Sequence, residues 1–280
     1  MPAASFLFRL ATILFAGASS PGFSPSPSIP IVVVMTRLHR GNRLIMALAF
    51  LTVFTPIAVF GQRIRIADLN MSRIGEGGVP YPVLAATVDR FDVVAADGVS
   101  DAGGMEKVLA GMDDGWEATL SREGFYGFFY SERVPLVREL GTYPGPSQFG
   151  RPPYGAQFRL AGSRFAFNLV VCHIDAEKGP KAGAAEIAHI VQVYRYYEKL
   201  TGNRGITILA GSFGEEAYPA LPAVARGEVI ALEADSSGTD HLHDRREHMF
   251  ASTALRPLIE EAGIGTSTPH PAYVVLRTGK

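Results

Sequence analysis

The sequence predicts an α/β protein in which two sheets pack face to face with helices outside. Three observations predict it. Residues 205–214, Gly-Ile-Thr-Ile-Leu-Ala-Gly-Ser-Phe-Gly, read as a buried strand that stops in a small-residue turn, the kind of strand end where ligand sites of α/β proteins gather. Strand candidates alternate along the chain with segments whose apolar residues recur at helical spacing. Polar residues, among them Asn70, His173 and Ser212, close successive strand candidates, which collects them at strand ends.

Composition sets the frame. The chain has 280 residues, 47% of them hydrophobic, enough for one large core or two small ones. A formal net charge of -1 gives no global field that would draw in nucleic acid or an anionic membrane. A polyanion site would have to be local. One cysteine, Cys172, excludes an internal disulfide framework.

The N-terminal region reads as processing signal. From Met35 a basic flank precedes an apolar run at residues 44–60 and then Gly61 and Gln62, the order of a secretory signal peptide with cleavage after Gly61. The run of about 17 residues is at the lower limit for a membrane span, and Pro56 weakens a stable one. A membrane is a partner only if 44–60 stays uncleaved. Residues 1–34 carry a second apolar run and a Ser/Pro-rich stretch, and read as a disordered or non-native extension ahead of a true start at Met35. The expected organisation is therefore extension 1–34, signal peptide 35–61 and folded domain 62–280, in an exported protein.

Within the domain, residues 64–70 alternate as a strand does and end at Asn70 before a Gly-rich loop. Residues 84–88 belong to a helix, and 91–99 read as a buried strand. Met105, Val108, Leu109 and Met112 form one helical face. Residues 125–130 are a strand candidate, and 141–154 a Pro/Gly-rich loop. Segments 157–160 and 164–174 predict a hairpin, the second ending at Cys172-His173. Pro180 opens a helix with Ile187, Ile190, Val191, Tyr194 and Tyr197 on one face, closed by Gly202. The strand over 205–214 follows, and 272–276 is the last.

With these strand ends in view, the chain resembles the endonuclease/exonuclease/phosphatase, or deoxyribonuclease I-like, superfamily. The matching stretches are Ile66-Ala-Asp-Leu-Asn70, residues 91–99, 126–134, Arg151-Pro-Pro-Tyr154, Asn168-Leu-Val-Val-Cys-His173, residues 206–214 and His270-Pro-Ala-Tyr-Val-Val275. Seven stretches in order cover nearly the whole domain. The resemblance implies a four-layer α/β/β/α sandwich and phosphoester hydrolysis with a divalent cation, usually magnesium. It matches Asn70 to a phosphate-contacting asparagine, His173 and His270 to catalytic histidines, and Glu247 to the carboxylate that orients His270. The metal-binding acids are absent: their positions hold Gly98, Ser212, Gly214 and Pro269. Ser and Gly do not supply the carboxylate oxygens a hard cation needs, so no cofactor is expected and hydrolysis should be impaired.

Two alternatives stay open. In a rewired magnesium site, Asp68, Asp97 or Glu215 would compensate, although Asp97, adjoining Gly98 in a strand, is expected to face away from the site unless a bulge intervenes. In a serine esterase, Ser212 would act with Asp235 or Asp240 and then His241, His243, His248 or His270, in hydrolase order. No oxyanion-hole glycine run precedes it. The run 239–248 is rich in possible metal ligands but lacks zinc-motif spacing, so it reads as a solvated loop. The ligand is a phosphoester or an unknown protein partner. The fold family admits nucleic acid, but the charge does not indicate it.

Overall fold

The structure is a computed structural model that describes residues 33–40, 43–50, 61–71, 78–99, 102–145, 149–174, 180–213, 226–232, 247–265 and 270–279. The chain divides into two units, Met1–Val59 and Phe60–Lys280. In the first, β1 (Val33–Arg40) and β2 (Arg43–Phe50) pair as an antiparallel hairpin with Val33 opposite Phe50. These strands overlap the stretch in which the sequence expects an export signal. Among the described residues no helix is long and apolar enough to cross a membrane.

The second unit holds two six-stranded mixed sheets. The first comprises β3 (Gln62–Asn70), β4 (Val93–Asp97), β5 (Trp116–Leu120), β6 (Gly127–Ser131), β13 (Ile259–Ile264) and β14 (Ala272–Thr278), in spatial order β13-β14-β3-β4-β6-β5. The second comprises β7 (Leu136–Thr142), β8 (Tyr154–Arg159), β9 (Ala166–His173), β10 (Thr207–Ser212), β11 (Val229–Ala231) and β12 (Glu247–Ser252), in order β11-β12-β10-β9-β8-β7. Helix α1 (Tyr81–Val88) follows β3, α2 (Ala102–Leu109) follows β4, and α3 (Pro180–Leu200) links β9 to β10.

Side-chain alternation decides which face each residue serves. Ile64, Ile66, Val93 and Ala95 turn inward and meet Leu169, Val171, Ile208 and Ala210 of the other sheet, in a core that also buries Phe128, Phe158 and Phe167. Ala67, Leu69, Val94 and Ala96 turn outward onto Leu84 and Val88 of α1 and Met105 and Val108 of α2. On the opposite side Val170, Cys172 and Leu209 receive Ile187, Ile190, Val191 and Tyr197 of α3. The result is the expected four-layer α/β/β/α sandwich.

One buried polar cluster fixes the entry to β10. Glu198, near the end of α3 and 5% exposed, accepts hydrogen bonds from the Gly205 and Ile206 amides at 2.7 and 3.0 Å and from the Ser252 hydroxyl at 3.1 Å. Asn168 of β9 donates to the Thr201 and Thr207 hydroxyls at 2.8 and 3.0 Å. Hydrogen bonds to a charged group contribute about 1.5–3 kcal/mol each, so α3, β9 and β10 are locked in register. That register brings the strand ends together.

Candidate active site

Strands β3 and β4 run parallel with Asn70 opposite Asp97, and β9 and β10 run parallel with His173 opposite Ser212. All four residues therefore finish strands at one end of the sandwich. Alternation from Ile64 and Ile66 places Asp68 and Asn70 on the inter-sheet face, as the sequence implies, and alternation from Ile208 and Ala210 does the same for Ser212.

The expectation for Asp97 is corrected. Val93 and Ala95 face the other sheet, so Asp97, two residues on, faces it too. The strand ends there, and Gly98 turns the chain away with φ of 66°. No bulge is needed. The residue at 98, and not Asp97, is the one that leaves the strand pattern.

These side chains make one hydrogen-bonded chain across the two sheets. His173 Nδ1 lies 2.8 Å from Asp97 Oδ2. Asn70 Nδ2 donates to Ser212 Oγ at 3.0 Å and approaches Asp97 Oδ2 at 3.4 Å. Asp97 and Asp68 are fully buried, whereas the His173 side chain is 21% exposed. A carboxylate can only accept, so the contact selects the His173 form that carries hydrogen on Nδ1. Phe125 stands edge-on to the His173 ring at 5.2 Å, and the exposed Arg151 guanidinium covers the Phe125 ring at 3.6 Å.

The remaining candidates sit differently. His270 is exposed and its Nδ1 lies 3.0 Å from the Gly265 carbonyl oxygen. It precedes by two residues Ala272, the partner of Asp68, and so lies toward the same edge as Asn70. Glu247 is opposite Ser212 in the β10–β12 register; its side chain lies outside the described residues. Gly214, Glu215, Asp235, Asp240, His241, His243 and Pro269 also lie outside them. His248 is buried on β12 opposite Gly211.

Cys172 faces the α3 side of its sheet and is fully buried. Burial pushes its thiol well above the ordinary range, and the Asp68 and Asp97 carboxylates push it further. Ellman's reagent should react with it only as fast as the protein unfolds. Fast stoichiometric reaction in native buffer would contradict this.

At the two described positions where the resemblance expects metal-binding acids, Gly98 and Ser212 supply no carboxylate. Among the described residues no three His, Cys, Asp or Glu side chains gather closely enough to hold a metal ion. Gly98 brings no side chain, and the Ser212 hydroxyl is engaged by Asn70. Asp97 gives one oxygen to His173.

No family model matches the sequence. A deoxyribonuclease of Thioalkalivibrio sp. (strain K90mix) is 26% identical over 261 residues, which cover 87% of this chain and 70% of that protein. Among solved structures, an endonuclease/exonuclease/phosphatase family protein from Bacteroides thetaiotaomicron superposes with a TM-score of 0.59 at 17% identity, over 78% of this chain and 96% of that one. A mannosyl-6-phosphatase of the same organism superposes with a TM-score of 0.55 at 16% identity, over 76% of this chain and 98% of that one. Two mixed sheets face to face, helices on both outer faces and these neighbours together give the chain the fold of the endonuclease/exonuclease/phosphatase, or deoxyribonuclease I-like, family.

Proposed function

We propose that this chain is an exported phosphoester-binding protein in which the metal-assisted hydrolysis associated with its fold is strongly impaired. The observation that carries the reading is the Asn70–Ser212 hydrogen bond of 3.0 Å. It occupies the place where the resemblance expects a metal-binding aspartate. At Gly98 the loss extends to the backbone: φ of 66° is a conformation that a glutamate would adopt only under strain of about 1–2 kcal/mol. Export is supported by the order of basic, apolar and small residues over 35–61 and by a compact unit that begins at Phe60. The likeness to a deoxyribonuclease supports a phosphodiester as the ligand class.

A second reading rests on the inward-facing Asp97 and Asp68, which leave carboxylates at this edge. In that case magnesium would be held by these two with Asn70, and His173 would serve as acid or base. Calorimetry with magnesium and manganese, run beside hydrolysis of bis-p-nitrophenyl phosphate, separates the two. Impaired hydrolysis predicts no saturable metal binding at millimolar concentration and no metal-dependent turnover. Saturable binding, with turnover that falls about 10²-fold or more in His173→Ala, would establish the rewired enzyme instead.

A further inference from the structure

The Asp97–His173 contact has a second chemical meaning once Ser212 is placed beside it. We propose that Ser212, His173 and Asp97 form a metal-independent nucleophilic triad, with Asn70 as oxyanion donor, acting on neutral carboxylic esters. The proposal goes beyond phosphoester binding and does not require it.

The roles follow from register and hydrogen bonding. Ser212 ends β10, directly opposite His173 on the adjacent parallel strand and on the same inter-sheet face. The buried Asp97 carboxylate holds His173 through Nδ1 at 2.8 Å, which makes Nε2 the ring nitrogen for proton transfer with a hydroxyl. Asn70 Nδ2, 3.0 Å from Ser212 Oγ, places an amide donor beside the nucleophile, where negative charge develops on an attacked carbonyl. Asn70 thus replaces the glycine run that the sequence lacks, and the base and its carboxylate come from β9 and β4 rather than from the segment after Ser212.

The donor set selects the substrate class. Attack on a carboxylic ester needs a hydrogen-bond donor for the oxyanion and a proton acceptor for the serine, which Asn70 and His173 supply, and needs no cation. In the first step a bond forms between Ser212 Oγ and the carbonyl carbon while the serine proton passes to His173 Nε2. The bond from carbon to the alkoxy oxygen then breaks, and the alcohol leaves with that proton. Water attacks the acyl-serine, gives its proton to His173, and the acid departs as Oγ is reprotonated. No oxidant, reductant or metal enters the balance.

The test uses the full chain in EDTA with a fluorophosphonate probe and p-nitrophenyl acetate. The expected result is a covalent adduct that peptide mass spectrometry maps to Ser212. Ester turnover should be lost in Ser212→Ala and in His173→Ala, and in Asp97→Asn kcat should fall about 10²-fold or more with KM little changed. Circular dichroism and the thermal midpoint check that each variant is folded. If Ser212→Ala does not fold, Ser212→Cys serves: iodoacetamide should alkylate the thiol at position 212 in the native protein and leave Cys172 untouched, and adding His173→Ala should slow it. A folded protein that takes up no probe, takes it up elsewhere, or hydrolyses the ester equally in Ser212→Ala overturns the proposal. Because metal is absent, none of these outcomes bears on the phosphoester reading.

Discussion

Gly211→Ala is expected to destabilise the protein by about 4 kcal/mol or more, at the diagnostic end of single substitutions. Gly211 adopts φ of 131°, and a Cβ there would lie 1.9 Å from the Cys172 carbonyl oxygen. That oxygen is backbone within a parallel strand pair, so it cannot swing aside as a side chain would. Relief requires β9 and β10 to part at the Gly211–Cys172 position, next to the His173–Ser212 pair. Urea unfolding of the variant should show the loss, and the fluorophosphonate adduct at Ser212 should vanish in any fraction that stays folded. A change below about 1 kcal/mol would mean that the strand pair relaxes freely and that this register does not set the site.

Tyr197→Ala should cost about 3–5 kcal/mol, the range for emptying a large core aromatic site. Tyr197 is fully buried on α3, and its hydroxyl lies 2.8 Å from the Gly141 carbonyl and 3.0 Å from that of Pro153. Its ring occupies the space over Gly155, where an added Cβ would come within 2.5 Å of a ring carbon. The substitution therefore opens a cavity and strips the donor from the Gly141 and Pro153 carbonyls together. For a domain of this size the thermal midpoint should fall by about 10 °C. Tyr197→Phe keeps the ring and removes only the hydroxyl, so a smaller loss of about 1–2 kcal/mol is expected. Equal losses in the two variants would show that packing over Gly155 contributes little.

The layers were legible because their strands carry strong patterns. Residues 64–70, 91–99, 164–174 and 205–214 are continuous or alternating apolar runs, and each overlaps an observed strand. The helix over Pro180–Leu200 follows from one apolar face, four of whose five residues are buried and the fifth, Tyr194, partly so. Strands β5, β7, β11, β12 and β13 escaped. They lie at or beside sheet edges, and Arg138, Glu139, Glu260 and Glu261 stand where alternation would need apolar residues. Charged edges resist pairing with other chains, which erases the sequence signal.

At the site, Asn70, His173 and Ser212 were legible as strand-end residues, but the orientation of Asp97 was not. The resemblance assigns the inward position to residue 98, whereas counting by twos from Val93 and Ala95 assigns it to Asp97. The deciding fact is where the strand stops, and Gly98 with its left-handed backbone was the available signal. Phe125 and Arg151 escaped for a different reason: Arg151 covers Phe125, which stands edge-on to His173, and this series joins three segments distant in sequence.

The place of β14 bears on how the chain acquires its structure. The last strand inserts between β13 and β3, next to the first strand of the domain, with Thr278 opposite Gln62. During synthesis β3 therefore waits with one unpaired edge until some 200 later residues have emerged, a delay that such non-local pairing makes slow to end. Any fragment or nascent chain that stops short of Ala272 presents that edge, rich in Ile64 and Ile66, to its neighbours. It is there that aggregation or chaperone capture should begin.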